Sequence, residues 1–222
     1  MSIKENLNTI QKTIPKGVTL VAVSKTKPTT AIQEAYNSGQ RVFGENRIHE
    51  MAEKYEALPK DIEWHMIGHV QRNKVKYMAH FVTLIHAVDN LKLLEEINKQ
   101  AQKHNRIINC LLQLKIAEED SKHGMNESEL IAVLNSDKLV NYKYINIVGL
   151  MGMATFTENQ QQIINEFNYL KTVFDKLNTN KTFNCNLKTI SMGMSGDYEN
   201  AINCGSNMVR IGSSIFGNRN YN

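Results

Sequence analysis

Lys25 is the residue in this 222-residue chain whose type and setting most clearly offer chemistry. It ends an apolar, β-branched run, Val18 to Val23, and follows Ser24. Desolvation or a neighbouring cation lowers an amine's pKa and exposes a nucleophile suited to condensing with a carbonyl. Lys27, two residues on, reads either as that neighbouring cation or as an ordinary loop charge. Arg210 lies within the apolar stretch Val209-Arg210-Ile211-Gly212. A guanidinium in such a strand must be ion-paired, hydrogen-bonded or turned toward a ligand. Two late segments, Ser191 to Ser195 and Gly212-Ser213, combine glycine with hydroxyls. They read as an anion cradle or as tight turns, because glycine admits an oxyanion close to backbone N–H groups. Asn46 and His65 follow or sit within other apolar runs. His65 and His69 have the i, i+4 spacing of a zinc pair, but Gly68 interrupts them and no third ligand accompanies them, so no metal is expected.

Positioning these groups takes strand ends. Runs of strand length fall at 18–23, 41–44, 63–67, 81–88, 107–116, 144–153, 189–194 and 208–216. Helical patterns separate them, among them one opened by Pro28 and closed by Gly39, one through Met51 and Tyr55 before Pro59, and one capped by Asp89 or Asn90. Others span 127–134, 158–177 and 198–203. The fifth and sixth runs are almost wholly apolar, as in strands covered on both faces. Eight alternations give an α/β chain: a (β/α)8 barrel, with a doubly wound open sheet as the alternative. Either fold gathers ligands at the carboxyl ends of its strands, where the residues above lie.

Composition narrows the class. Hydrophobic residues make up 41% and charged residues 22%, a globular mixture. Twenty-six basic and twenty-two acidic residues give +4, and the densest basic stretch, Arg72-Lys74-Lys76, reads as a solvated face, so no nucleic acid is expected. No apolar run reaches membrane-spanning length and residues 1–13 lack a signal core, which points to the cytoplasm and to no membrane partner. Cys110, Cys185 and Cys204 are too few and too scattered for a disulfide framework.

Five segments in order carry a resemblance: Ala22 to Pro28, Phe43 to Asn46, Trp64 to Gly68, Ser191 to Ser195, and Met208 to Ser213, continued by Ser214 to Gly217. Together they resemble the pyridoxal phosphate homeostasis protein family, related to the N-terminal domain of alanine racemase. The resemblance runs from about Val18 to Gly217 and implies one cofactor-binding domain over residues 1–222. The implied fold is a single TIM-type (β/α)8 barrel of PLP fold type III with an extra N-terminal helix. It implies pyridoxal 5′-phosphate held on Lys25 as an internal aldimine, its phosphate on Ser191, Gly212 and Ser213. Arg210 would face the pyridine nitrogen, where arginine disfavours ring protonation and makes a poor electron sink. Asn46 and His65 would line the ring. His69 departs from the proline of many relatives.

The racemase and decarboxylase relatives add a second domain, for which residues 1–17 and 218–222 leave no length. The expected function is therefore carriage or buffering of the cofactor in vitamin B6 and amino-acid homeostasis, not catalysis. PLP-dependent apoenzymes are the expected recipients, and the expected state is a monomer. The alternative is a low-activity racemase or lyase with Lys25 as base; a phosphosugar-type barrel enzyme is a third. Lys122 offers a second amine near the mouth, or is an exposed loop lysine.

Overall fold

In the computed structural model, residues 2–119, 123–178 and 182–217 are described. Eight parallel strands close into a barrel in sequential order: β1 (Thr19–Val23), β2 (Val42–Glu45), β3 (Glu63–Met66), β4 (Leu84–Val88), β5 (Ile108–Gln113), β6 (Ile145–Met151), β7 (Cys185–Met194) and β8 (Met208–Ile211). Closure pairs β1 with β8, Val21 opposite Arg210. The closed barrel excludes the open-sheet alternative.

Helix α1 (Ile3–Thr13) precedes the barrel. A reciprocal pair opens it: the Ser2 hydroxyl accepts from Glu5 N–H and the Glu5 carboxylate accepts from Ser2 N–H. Helices α2 (Thr29–Asn37), α3 (Ile48–Ala57), α4 (Leu91–Lys103), α5 (Glu127–Leu134), α6 (Gln160–Leu177), α7 (Tyr198–Asn203) and α8 (Ser213–Phe216) follow the strands. Asn90, not Asp89, caps α4, its side-chain oxygen accepting from Leu93 N–H at 2.8 Å. Among the described residues, no helix is long and apolar enough to cross a membrane.

Several strand boundaries differ from the pattern. The eighth strand stops at Ile211, and Ser213–Phe216 forms a helical turn. Its apolar residues, Ile215 and Phe216, continue the hydrophobic signal after the backbone has left the sheet at Gly212. The seventh strand starts at Cys185, where Asn186 and Lys188 alternate with buried Cys185 and Leu187 and hide a half-buried strand. Phe81 and Val82 donate backbone bonds to Met78 and close a turn before β4. Arg72–Tyr77, read as a plain solvated face, is a 3-10 helix burying Val75.

Two apolar layers result. The larger lies between barrel wall and helices, around Phe43, Trp64, Leu94, Ile97 and Phe167, all at most 2% exposed. The smaller fills the barrel with Val21, Leu84, Leu111, Met151 and Met208. Period-2 alternation then decides which polar residues face inward. Along β1, Val21 faces the interior, so Val23 and Lys25 share that side while Ser24 turns toward the helices.

Gly149 shows how tightly the wall is built. It pairs with Thr189 where the β6–β7 register shifts, and a Cβ there would land on the Thr189 carbonyl oxygen. Gly149→Ala is expected to cost about 1–3 kcal/mol through overpacking. A Cβ on Gly196 meets nothing within 4 Å, so Gly196→Ala should leave stability unchanged. Urea unfolding of both variants checks the contrast.

Candidate functional site

The carboxyl ends of the strands open into a cavity of about 630 Å³. Lys25 and Lys27 line it from the β1 end, Asn46 from β2, Gln113 from β5, Ser195 to Asp197 from β7, and Arg210, Gly212 and Ser213 from β8. Among the described residues, three cations therefore share the wall with one carboxylate, Asp197, whose pKa burial raises. That balance favours an anionic ligand. Asn46 adds a buried side-chain oxygen that has no partner among the described residues, and such an acceptor is available to a ligand.

The β7 turn that carries Ser195 depends on Gly193, at φ +96°. A Cβ there would sit 2.6 Å from the Ala201 Cβ, so close packing against α7 also demands glycine. Asp197 accepts from Met194 N–H, and Met194 O accepts from Asp197 N–H at 3.1 Å, closing the turn. The Ser195 hydroxyl then accepts from Gly212 N–H at 3.2 Å and joins the ends of β7 and β8.

Ser191 and His65, both assigned to the ligand from sequence, do not line the cavity. They lie beneath it in a buried chain that also includes His86, a residue the sequence did not single out. Arg210 donates to the Ser191 carbonyl at 2.9 Å, to the Ser191 hydroxyl at 2.6 Å, and to the Gly152 carbonyl at 3.0 Å. The Ser191 hydroxyl lies 3.1 Å from His86 Nδ1, and His86 Nε2 lies 3.1 Å from His65 Nδ1. Ser195, four residues nearer the carboxyl end of the barrel, is the hydroxyl of this segment that lines the mouth, and the pairing of β7 with β8 shifts register between Ser191 and Met194.

The donors run one way. A guanidinium only donates, so Ser191 Oγ accepts from Arg210 and sends its own proton to His86 Nδ1. His86 then donates from Nε2, and His65 accepts at Nδ1. This requires both imidazoles neutral. Burial pushes the His65 pKa down to about 3, and burial, then His65 and Arg210, hold His86 well below the ordinary value. Burial also lowers the Arg210 pKa, to about 10, and Asp197 opposes that shift, so the guanidinium stays charged at neutral pH.

A pH prediction follows. With folded values depressed, the unfolded chain binds more protons than the folded one below about 6.5, and stability falls with pH from there toward 3. His65 contributes a slope of about 1.4 kcal/mol per pH unit in that window, and His86 adds to it in the same direction. Denaturant titrations between those limits should show it, and His86→Asn should remove one histidine's share. An unchanged slope in the variant would contradict the neutral chain.

The turn around Lys25 is held from the opposite side of the barrel wall. Glu45 is fully buried on the helix-facing side of β2 and accepts from Ser24 Oγ at 2.6 Å and from Lys54 Nζ at 2.8 Å. Burial raises the Glu45 pKa and Lys54 opposes the rise. Lys27, on the loop after β1 and in the same cavity wall as Lys25, donates its ammonium to the Phe216 and Gly217 carbonyls at 2.9 and 3.0 Å. It thereby ties the β1 turn to the end of α8.

His65 and His69 are parted, the first inside the barrel and the second at the rim, 3.4 Å from Asp89 and stacked on His123. Among the described residues no group of three or more metal-ligating side chains occurs. Lys122 lies outside the described residues.

The family profile described as "Alanine racemase, N-terminal domain" matches residues 1–220. The pyridoxal phosphate homeostasis protein of Haemophilus influenzae is 37% identical, covering 100% of this chain and 98% of its own. The mouse protein of the same name is 40% identical over 91% of this chain and 77% of its own. PipY of Synechococcus elongatus, solved with PLP bound, superposes with a TM-score of 0.87 at 32% identity, covering 97% of this chain and all of that one. An alanine racemase from Clostridium difficile shares the fold, with a TM-score of 0.78 at 13% identity over 98% of this chain and 57% of its own.

Proposed function

The chain belongs to the pyridoxal phosphate homeostasis protein family, and from that premise we propose that it binds pyridoxal 5′-phosphate at the mouth of its barrel and carries or buffers it. One observation carries this reading: a single cavity gathers an amine, a buried guanidinium and a hydroxyl-and-glycine edge. The PLP-bound structure of PipY, superposing over almost the whole chain, supports it.

The residues fit the cofactor's chemistry. The cationic wall suits a phosphate ester, and Ser195, Gly196, Gly212 and Ser213 crowd one edge with small groups and hydroxyls. We assign the phosphate to that edge. Ser191 passes from the phosphate to the support of Arg210, and His65 from the ring to the buried chain behind it. Arg210 is the donor beside the ring and Asn46 offers its partnerless oxygen to a ring substituent. When bound, the cofactor supplies an aldehyde that a primary amine can attack, and Lys25 is that amine.

A carrier role, without turnover, fits the naming of the relatives as homeostasis proteins. In this reading residues 1–222 work as one cofactor-binding unit, monomeric and cytoplasmic, passing the cofactor to PLP-dependent apoenzymes. Racemisation would require acid–base groups on both faces of the ring, and Lys25 supplies one. The test is to mix the loaded protein with single amino-acid enantiomers and follow the stereocentre. Unchanged enantiomers with transfer of cofactor to an apoenzyme are expected. Catalytic scrambling that disappears in Lys25→Ala would make the protein an enzyme.

A further inference from the structure

Lys54, on α3, is 5% exposed and far from an ordinary surface lysine. Its ammonium donates to the Ser24 carbonyl at 2.8 Å, to Glu45 Oε1 at 2.8 Å and to Glu50 Oε1 at 2.7 Å. An ammonium has three protons, and these three acceptors use them all. The same two carboxylate oxygens hold the residues on either side of Lys25. Glu45 Oε1 accepts from the Ser24 hydroxyl at 2.6 Å, and Glu50 Oε1 accepts from Thr26 N–H at 2.5 Å. Thr26 is β-branched yet sits at φ +65°, a conformation that persists only where its surroundings impose it. Lys54 does not line the cavity at the barrel mouth.

We infer that Lys54 is a positioning residue: through Glu45 and Glu50 it clamps Ser24 and strained Thr26, and so aims the amine of Lys25 at an incoming aldehyde. The inference rests on the function proposed above. Uptake joins the Lys25 nitrogen to the aldehyde carbon, and the aldehyde oxygen leaves as water with both protons of the neutral amine. That step needs the nitrogen on a defined line of approach, whereas gripping the phosphate and ring does not.

Two ligands separate the roles: pyridoxal 5′-phosphate, and pyridoxine 5′-phosphate, in which an alcohol replaces the aldehyde. In Lys54→Met, covalent uptake of the aldehyde, read by borohydride trapping on Lys25, is expected to slow by about tenfold or more. Affinity for the alcohol should not change. Glu50→Ala, at the more exposed end of the clamp, is expected to do the same and keeps the test open where Lys54→Met fails to fold. Equal loss of both ligands, or unchanged uptake in Glu50→Ala, overturns the inference. A wild-type chain that grips the alcohol but never traps the aldehyde overturns the function on which it rests.

Discussion

Lys25→Ala abolishes borohydride-fixable labelling of the protein by pyridoxal 5′-phosphate. The expectation follows from position and chemistry together. Lys25 continues the inward face of β1 beyond Val23 and lines the mouth cavity, and only an unprotonated primary amine can join the aldehyde carbon. Reversible binding should survive, because Arg210 and the Ser195–Ser213 edge are untouched, but weaken by about ten- to hundredfold on loss of the anchor. Lys25→Arg discriminates charge from covalent chemistry: it keeps the cation and should lose the label just as completely. Spectral titration and trapping of both variants measure the two effects. Undiminished labelling in Lys25→Ala would move the anchor to another lysine.

The second large effect belongs to Arg210. The residue is 4% exposed and its guanidinium holds three acceptors, the Ser191 carbonyl and hydroxyl and the Gly152 carbonyl. Arg210→Ala strands those acceptors and opens a void inside the barrel, which should cost about 2–4 kcal/mol. For a chain of this length that lowers Tm by roughly 5–15 °C. Cofactor retention should fall as well, because the cavity loses one of the three cations among its described lining residues and, in the proposed placement, the donor beside the ring. The pKa of His86 should rise, since Arg210 is one of the charges holding it down. Arg210→Lys keeps the charge but not the planar fork, and should recover only part of either loss. Wild-type stability and affinity in Arg210→Ala would contradict this placement.

The barrel was legible because its strands are apolar, β-branched and separated by helical periods, a signal that needs no tertiary information. Boundaries failed where the signal is local but the cause is not. Ile215 and Phe216 look like more strand, yet they cover the core from the turn after Gly212. Cys185 to Lys188 alternates too weakly to announce the start of β7. At the site, Lys25, Asn46, Arg210, Gly212 and Ser213 were named from sequence and line one cavity. Ser191 and Ser195 belong to one motif, and their depth along the barrel, which the motif does not state, decides which of them reaches the mouth. His86 lay in an apolar run and gave no sign of lying beside His65 on the neighbouring strand or of reaching Ser191. The Lys54 clamp was hidden for another reason: it joins a helix to two strand ends, and a lysine on a helix reads as solvated until its burial is known.

The most direct test of the covalent anchor is to incubate the wild-type protein with pyridoxal 5′-phosphate, record its absorbance, reduce with borohydride, and map the modified peptide. The predicted result is a yellow protein that retains one equivalent of label after reduction, on the peptide containing Lys25. A protein that stays colourless, or whose label is spread over exposed lysines with none on that peptide, would contradict the account.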